Sequence, residues 1–138
     1  MIAKTYPAGT LKEYKYVVIL SEYQGKILLS RHRKRTTWET QGGHIEAGET
    51  PLEAAKRELF EESGAIRFEI QPLCDYWAAN GPDDWANGMV FHAVIEELGP
   101  LPQSEMAETR QFDALPDNLT YPEIARTLFQ YLSQQNKV

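Results

Sequence analysis

The chain has 138 residues, 42% hydrophobic and 25% charged, a globular composition sized for one domain over 1–138 with a real core. Its formal net charge of −6 argues against a general basic surface for long nucleic acid, though not against a small phosphorylated molecule. No apolar run approaches the ~20 residues of a membrane helix; Cys74 stands alone, so no internal disulfide forms, and Met1–Pro7 lacks a signal-peptide core, so a cytoplasmic protein is expected.

In chain order, Tyr14–Leu20 is β-rich, and Val17-Val18-Ile19-Leu20 is a continuous apolar run suited to a buried strand. Glu22–Gly25 reads as a turn and Lys26–Ser30 as a second strand, which makes a hairpin. The basic run Arg31-His32-Arg33-Lys34-Arg35 reads either as a solvated loop or as a phosphate-contacting rim, with Arg31 and Arg33 as candidate contacts. Thr36–Thr40 reads as a short strand leading to Gly42-Gly43, with Trp38 as core or pocket wall.

Next comes the stretch Gly43–Ala65. Thr50-Pro51 with Glu53 is a helix start with a capping box, and Ser63-Gly64 is a helix stop. Leu52, Ala55 and Leu59 form the expected core stripe of a helix over Thr50–Ser63. Glu58, Glu61 and Glu62 fall at spacings of three and four on one face, where like charges destabilise a bare helix by roughly a few tenths of a kcal/mol per pair. A hard divalent cation would offset that repulsion. Arg57 can pair with Glu49 or Glu61, and the double glycine lets backbone approach closely and offer a carbonyl or amide.

Gly43, Glu49 and the run Arg57-Glu58-Leu59-Phe60-Glu61-Glu62-Ser63-Gly64 resemble the Nudix box in residue type and spacing. Ala65 stands where that pattern has a larger aliphatic residue, and Ile66 follows it. The resemblance implies an α/β/α sandwich with a mixed β-sheet between helices. It also implies hydrolysis of a nucleoside diphosphate linked to another group, with Mg²⁺ (or Mn²⁺) held by Glu58, Glu61, Glu62 and the Gly42 carbonyl. Glu49 and Arg57 would brace the box from behind.

Beyond the box, Ile66–Tyr76, running on to Ala79, and Met89–Glu96 read as strands, with Asn80–Gly88 as a long polar turn between them. Tyr76, Trp77 and Trp85 flank that turn as candidate base-stacking residues. Gly99–Pro102 is a loop, 109–112 a short strand, and Tyr121–Gln135 an amphipathic helix with Ile124, Leu128 and Tyr131 or Leu132 inward. By the same resemblance a carboxylate outside the box serves as metal ligand or base; Glu105 is the first choice and Glu108 the second, with Glu58 and Glu61 the catalytic candidates inside it.

The expected substrate is a purine nucleoside triphosphate, oxidised or not, cleaved to monophosphate and pyrophosphate. Nucleotide sugars, ADP-ribose, dinucleoside polyphosphates and capped RNA are alternatives, as are a nucleotide sensor that does not cleave and a plain acidic interaction domain. The expected partner is thus a small nucleotide, with no membrane and no long nucleic acid; a homodimer is left open.

Overall fold

A computed structural model of the chain describes residues 1–135. It contains β1 (Ile2–Pro7), β2 (Tyr14–Tyr23), β3 (Lys26–His32), β4 (Gln41–His44), α1 (Pro51–Ser63), β5 (Ala65–Gly81), β6 (Asp84–Leu98), β7 (Met106–Phe112) and α2 (Pro122–Gln135). One mixed sheet runs in the order β1-β5-β6-β2-β3-β7, with β4 paired to β2 off that path. The β2–β6 pairing is parallel and the others are antiparallel.

The helices cover opposite faces. On one, Ala54, Ala55 and Leu59 of α1 pack with Val17, Ile19, Leu28, Phe91, Ala93 and Ile95. The small alanines bring the helix close to the sheet. Leu59 is fully buried, worth about 1.5–3 kcal/mol relative to exposure. Leu52, expected in this stripe, is 39% exposed; Ala54 takes its place beside Ala55. On the other face Leu128 and Leu132 of α2 pack with Leu20, Cys74, Tyr76 and Val90. This is the α/β/α sandwich with a mixed sheet.

The structure departs from the sequence reading in several places. Residues 36–40 form no strand: Trp38 and Glu39 make only isolated bridges, to Leu119 and Ser30, and the strand begins at Gln41. The glycines explain the shift. A Cβ on Gly42 would collide with the Val17 carbonyl, so only bare backbone can lie against β2 there. The expected long turn at 80–88 is mostly paired sheet, with Ala79 opposite Trp85 and Gly81 opposite Asp84. The long β5–β6 ladder carries Asn80 and Asn87 into strands despite their turn chemistry, leaving Pro82-Asp83 as the bend.

β1 is an additional strand that periodicity does not reveal, being short, half exposed and at a sheet edge. The segment after it is tied down by Asp75. That fully buried carboxylate accepts from Gly9 N–H (3.2 Å), Leu11 N–H (2.8 Å) and the Tyr14 hydroxyl (2.7 Å). Burial and the neighbouring carboxylate push the Tyr14 phenol up to about 12.

Candidate active site

The start of α1 forms as its sequence requires. Thr50 Oγ1 accepts from Glu53 N–H at 3.1 Å, and Glu53 Oε1 accepts from Thr50 N–H at 2.9 Å. At the other end Gly64 adopts φ 80° and donates to the Phe60 carbonyl at 2.8 Å. These caps fix the helix's phase, and the phase decides where each glutamate points.

Arg57 is the hub of one carboxylate group. Its Nε and Nη2 grip Glu49 at 2.7 and 2.9 Å in a bidentate pair, and Nη2 also reaches the His44 carbonyl at 3.1 Å. Its Nη1 lies 2.7 Å from Glu58, 3.4 Å from Glu61 and 3.5 Å from Glu46. The guanidinium holds the Glu49 carboxyl down at about 2, helped by the Glu46 amide.

Glu58 and Glu62 differ from Glu49 in being desolvated. Burial pushes the Glu58 carboxyl upward; Glu61 and Glu46 push the same way, and Arg57 opposes them. Gly43 leaves the room Glu58 occupies, since a Cβ there would sit 2.8 Å from its Oε1. Glu62 is the extreme case. Burial first, then the like charges of Glu58, Glu39 and Glu105, push its carboxyl up to about 8, against one hydrogen bond from Gly42 N–H at 2.8 Å. Among the described residues Glu62 has no ion-pair partner.

Glu62 opens onto a cleft of about 490 Å³, bounded by the 32–44 segment, the β5–β6 hairpin, Glu105 and the start of α2. Its walls carry Tyr16, His44, Tyr76, Trp85 and Tyr121, with Trp85 47% and Tyr121 46% exposed. Glu105 lines the opening beside His32, its Oε2 3.6 Å from His32 Nε2.

Other candidates are placed elsewhere. Glu108 does not line the cleft; Arg31 Nε holds it at 2.8 Å. Arg33 bonds the Ser104 carbonyl. The basic residues on the cleft are instead His32 and Arg35, the latter paired with Glu39 at 3.1 Å. Side chains alternate along this strand and loop, so neighbours in one basic run face different ways. Trp77 lies off the cleft, under Lys4 at 5.7 Å, because adjacent Tyr76 takes the cleft face. Trp38 touches the cleft but is 4% exposed, edge-on to Phe112 at 5.2 Å and under Arg110 at 4.9 Å, as a core residue would be. Sequence reasoning does not single out Glu39, His44 or Tyr16; the signal available for Glu39 is an acidic residue three positions before the double glycine.

Among the described residues no three carboxylate, imidazole or thiolate groups converge into a ready-made metal cage. Arg57 draws Glu58 and Glu61 to one side, while Gly42 draws Glu62 to the other. The donor set nevertheless fits a hard divalent cation. It offers carboxylate oxygens, one of them buried without a countercharge, and Mg²⁺ needs only one or two carboxylates beside water and substrate phosphates.

A NUDIX domain model matches residues 13–131. An RNA pyrophosphohydrolase of Francisella tularensis subsp. mediasiatica is 32% identical over 69 residues, covering 48% of this chain and 44% of that protein. The match therefore spans less than half the relative's length. The structure of the Bacillus subtilis pyrophosphohydrolase BsRppH, solved as a point mutant, superposes with TM-score 0.83 at 23% identity, covering 97% of this chain and 91% of that one. The NUDIX domain of Shewanella oneidensis NrtR, complexed with ADP ribose, gives TM-score 0.71 at 15% identity, covering 96% and 94%. At such identities the superpositions speak for the fold alone.

Proposed function

We propose that this chain, which belongs to the NUDIX family, is a divalent-metal-dependent pyrophosphohydrolase. Its substrate on this reading is a purine nucleoside triphosphate, oxidised or not, cleaved to monophosphate and pyrophosphate. The observation that carries the reading is Glu62, a buried carboxylate without a cationic partner among the described residues, opening onto a cleft with an aromatic wall.

In this reading Glu58, Glu61 and Glu62 hold Mg²⁺ or Mn²⁺, and the Gly42 carbonyl is a further candidate donor. When bound, the ion screens phosphate oxygens and lowers the pKa of an attacking water. The chain's own residues do the rest. Arg57, anchored on Glu49, orients Glu58. Glu105, at the cleft mouth, takes the water's proton, with Glu58 the alternative acceptor. Arg35 and His32 face the substrate's negative charge. Trp85 and Tyr121 offer flat faces to a base, a contact worth about 1–3 kcal/mol in single-strand recognition.

A second reading keeps this chemistry and changes the carrier. The Francisella relative is named an RNA pyrophosphohydrolase, so the 5′-triphosphate end of an RNA is the competing substrate. The test is kcat/KM, read as pyrophosphate release with Mg²⁺, on purine triphosphates, a 5′-triphosphorylated RNA oligomer, ADP-ribose, a nucleotide sugar and a dinucleoside polyphosphate. Preference for RNA or a linked nucleotide by more than about tenfold, ~1.4 kcal/mol in the transition state, replaces the proposed substrate. No turnover of any of them, with nucleotide binding intact, makes the chain a sensor.

A further inference from the structure

The central sheet splits beside the cleft. β2 pairs with β3 only at Glu22–Ile27 and Tyr23–Lys26, and then with β4 over Tyr16–Ile19. Gln41, fully buried, fills the fork with its side chain. Its Oε1 accepts from Ser21 Oγ at 2.7 Å, and its Nε2 donates to the Leu28 carbonyl at 3.2 Å and to Ser30 Oγ at 2.9 Å. A reversed amide would set oxygen against the Leu28 carbonyl, so the orientation is fixed. Ser30 Oγ in turn donates to the Glu62 carbonyl at 2.7 Å. That carbonyl belongs to the last turn of α1, where helix carbonyls lack intrahelical partners. Gln41 also precedes Gly42, whose N–H holds the Glu62 carboxylate. The Gln41 side chain thus reaches the Glu62 carbonyl through Ser30, and the peptide that follows Gln41 carries the N–H that holds the carboxylate.

From this network we infer that Gln41, acting through Ser30 and Gly42, is a positioning residue that sets the Glu62 carboxylate for metal and substrate. The inference rests on Glu62 being a metal-holding residue. Gln41→Leu keeps the volume but strands the Ser21 hydroxyl and takes one partner from Ser30 Oγ and from the Leu28 carbonyl; Ser30→Ala removes the link to Glu62 and one Gln41 bond, leaving Gln41 its Ser21 and Leu28 partners. Groups that orient metal ligands typically change affinity or activity by about 10–100-fold when lost.

The test measures Mn²⁺ binding alone, by the paramagnetic resonance of the free ion, together with kcat, KM and Tm. Gln41→Leu and Ser30→Ala should each weaken Mn²⁺ binding and lower kcat by about tenfold or more, with KM within about twofold. Ser30→Thr, which keeps the hydroxyl, should restore both. Leu128→Ala, in the opposite core, should lose Tm but change neither Mn²⁺ affinity nor kcat. If Gln41→Leu fails to fold, the Ser30 pair decides. Should Ser30→Ala behave like Leu128→Ala, the role of Gln41 is structural only. Glu62→Gln separates the two layers. Unchanged Mn²⁺ affinity in that variant overturns the site assignment and the inference together. Lost affinity there, with normal binding in Gln41→Leu and Ser30→Ala, overturns the inference alone.

Discussion

Two groups of carboxylates flank the last turns of α1 and differ in what faces them. Around Arg57, Glu46, Glu49, Glu58 and Glu61 share one guanidinium, and Glu49 sits well below the ordinary carboxylate range. Around Glu62 the neighbours are Glu58, Glu39 and Glu105, and its carboxyl rises to about 8. Both groups draw on the same helix and the same residue type. The first is partly offset by its one guanidinium and, on the proposed reading, serves as a brace. The second holds a carboxyl whose ionised form is disfavoured beside the cleft, a cost that a bound cation would relieve. Glu58 belongs to both: Arg57 holds it at 2.7 Å and its charge acts on Glu62, while it does not itself line the cleft.

Removing charge on the cleft side tests this contrast most severely. Glu62→Gln should lower kcat on the order of a thousandfold, ~4 kcal/mol of barrier, while metal-free Tm stays level or rises because folding no longer has to bury or protonate a carboxylate. Glu61→Gln, on the Arg57 side, should also abolish metal-dependent hydrolysis with the fold intact. Near-normal turnover in both would remove the site from this helix.

Disrupting the brace should cost stability as well. Arg57→Ala leaves half-buried Glu58 without its cation, a loss of about 1–3 kcal/mol, seen as a lower denaturant midpoint. Turnover should fall by about tenfold or more through the misplaced Glu58. Arg57→Lys should recover little, since one ammonium cannot grip Glu49 through both oxygens. Full rescue by Lys would mean that charge alone matters.

A smaller effect separates the two loop carboxylates. Glu105→Gln should slow turnover about tenfold, below the usual general-base range, and Glu108→Gln should do less because Arg31 holds it off the cleft. Equal, near-normal rates would move the base to Glu58.

The two regions should also titrate in opposite directions. Glu62's folded value of about 8 lies above its ordinary 4.5, so the folded state binds the proton more tightly. Metal-free stability should therefore fall as pH rises from about 4.5 through about 8 and then level off. Glu49's folded value is depressed to about 2, so its contribution is present above about 4.5 and lost as pH falls toward 2. Without metal, Tm should peak at about pH 5. Saturating Mg²⁺ should remove the alkaline decline, which Glu62→Gln should also abolish, and turnover should rise with pH into the weakly alkaline range. An alkaline decline that survives in Glu62→Gln would assign it to another group.

Much of α1 is legible in the chain because its determinants are local. Thr50, Glu53 and Gly64 act within one turn of their targets, and Arg57's reach to Glu61 follows from helical spacing. Legibility fails where pairing partners are distant. Asn80 and Asn87 look like turn residues until β5 and β6 zip past them. The run 31–35 divides only when β3 meets β7, sending Arg31 to Glu108 and leaving Arg35 on the cleft.

The caps and the carboxylate spacing can be read along the chain, since they rest on periodicity and short-range chemistry; the box and the α/β/α sandwich follow from the resemblance to the Nudix pattern. Folding alone settles which carboxylate meets a guanidinium and which is desolvated, which tryptophan faces the cleft, and that Gln41 ties the split sheet to Glu62. Burial and ion pairing depend on groups far apart in the chain. Glu39 and Glu105 bear on Glu62 only because the sheet fork and β7 bring them there, and no helical or strand period encodes that meeting.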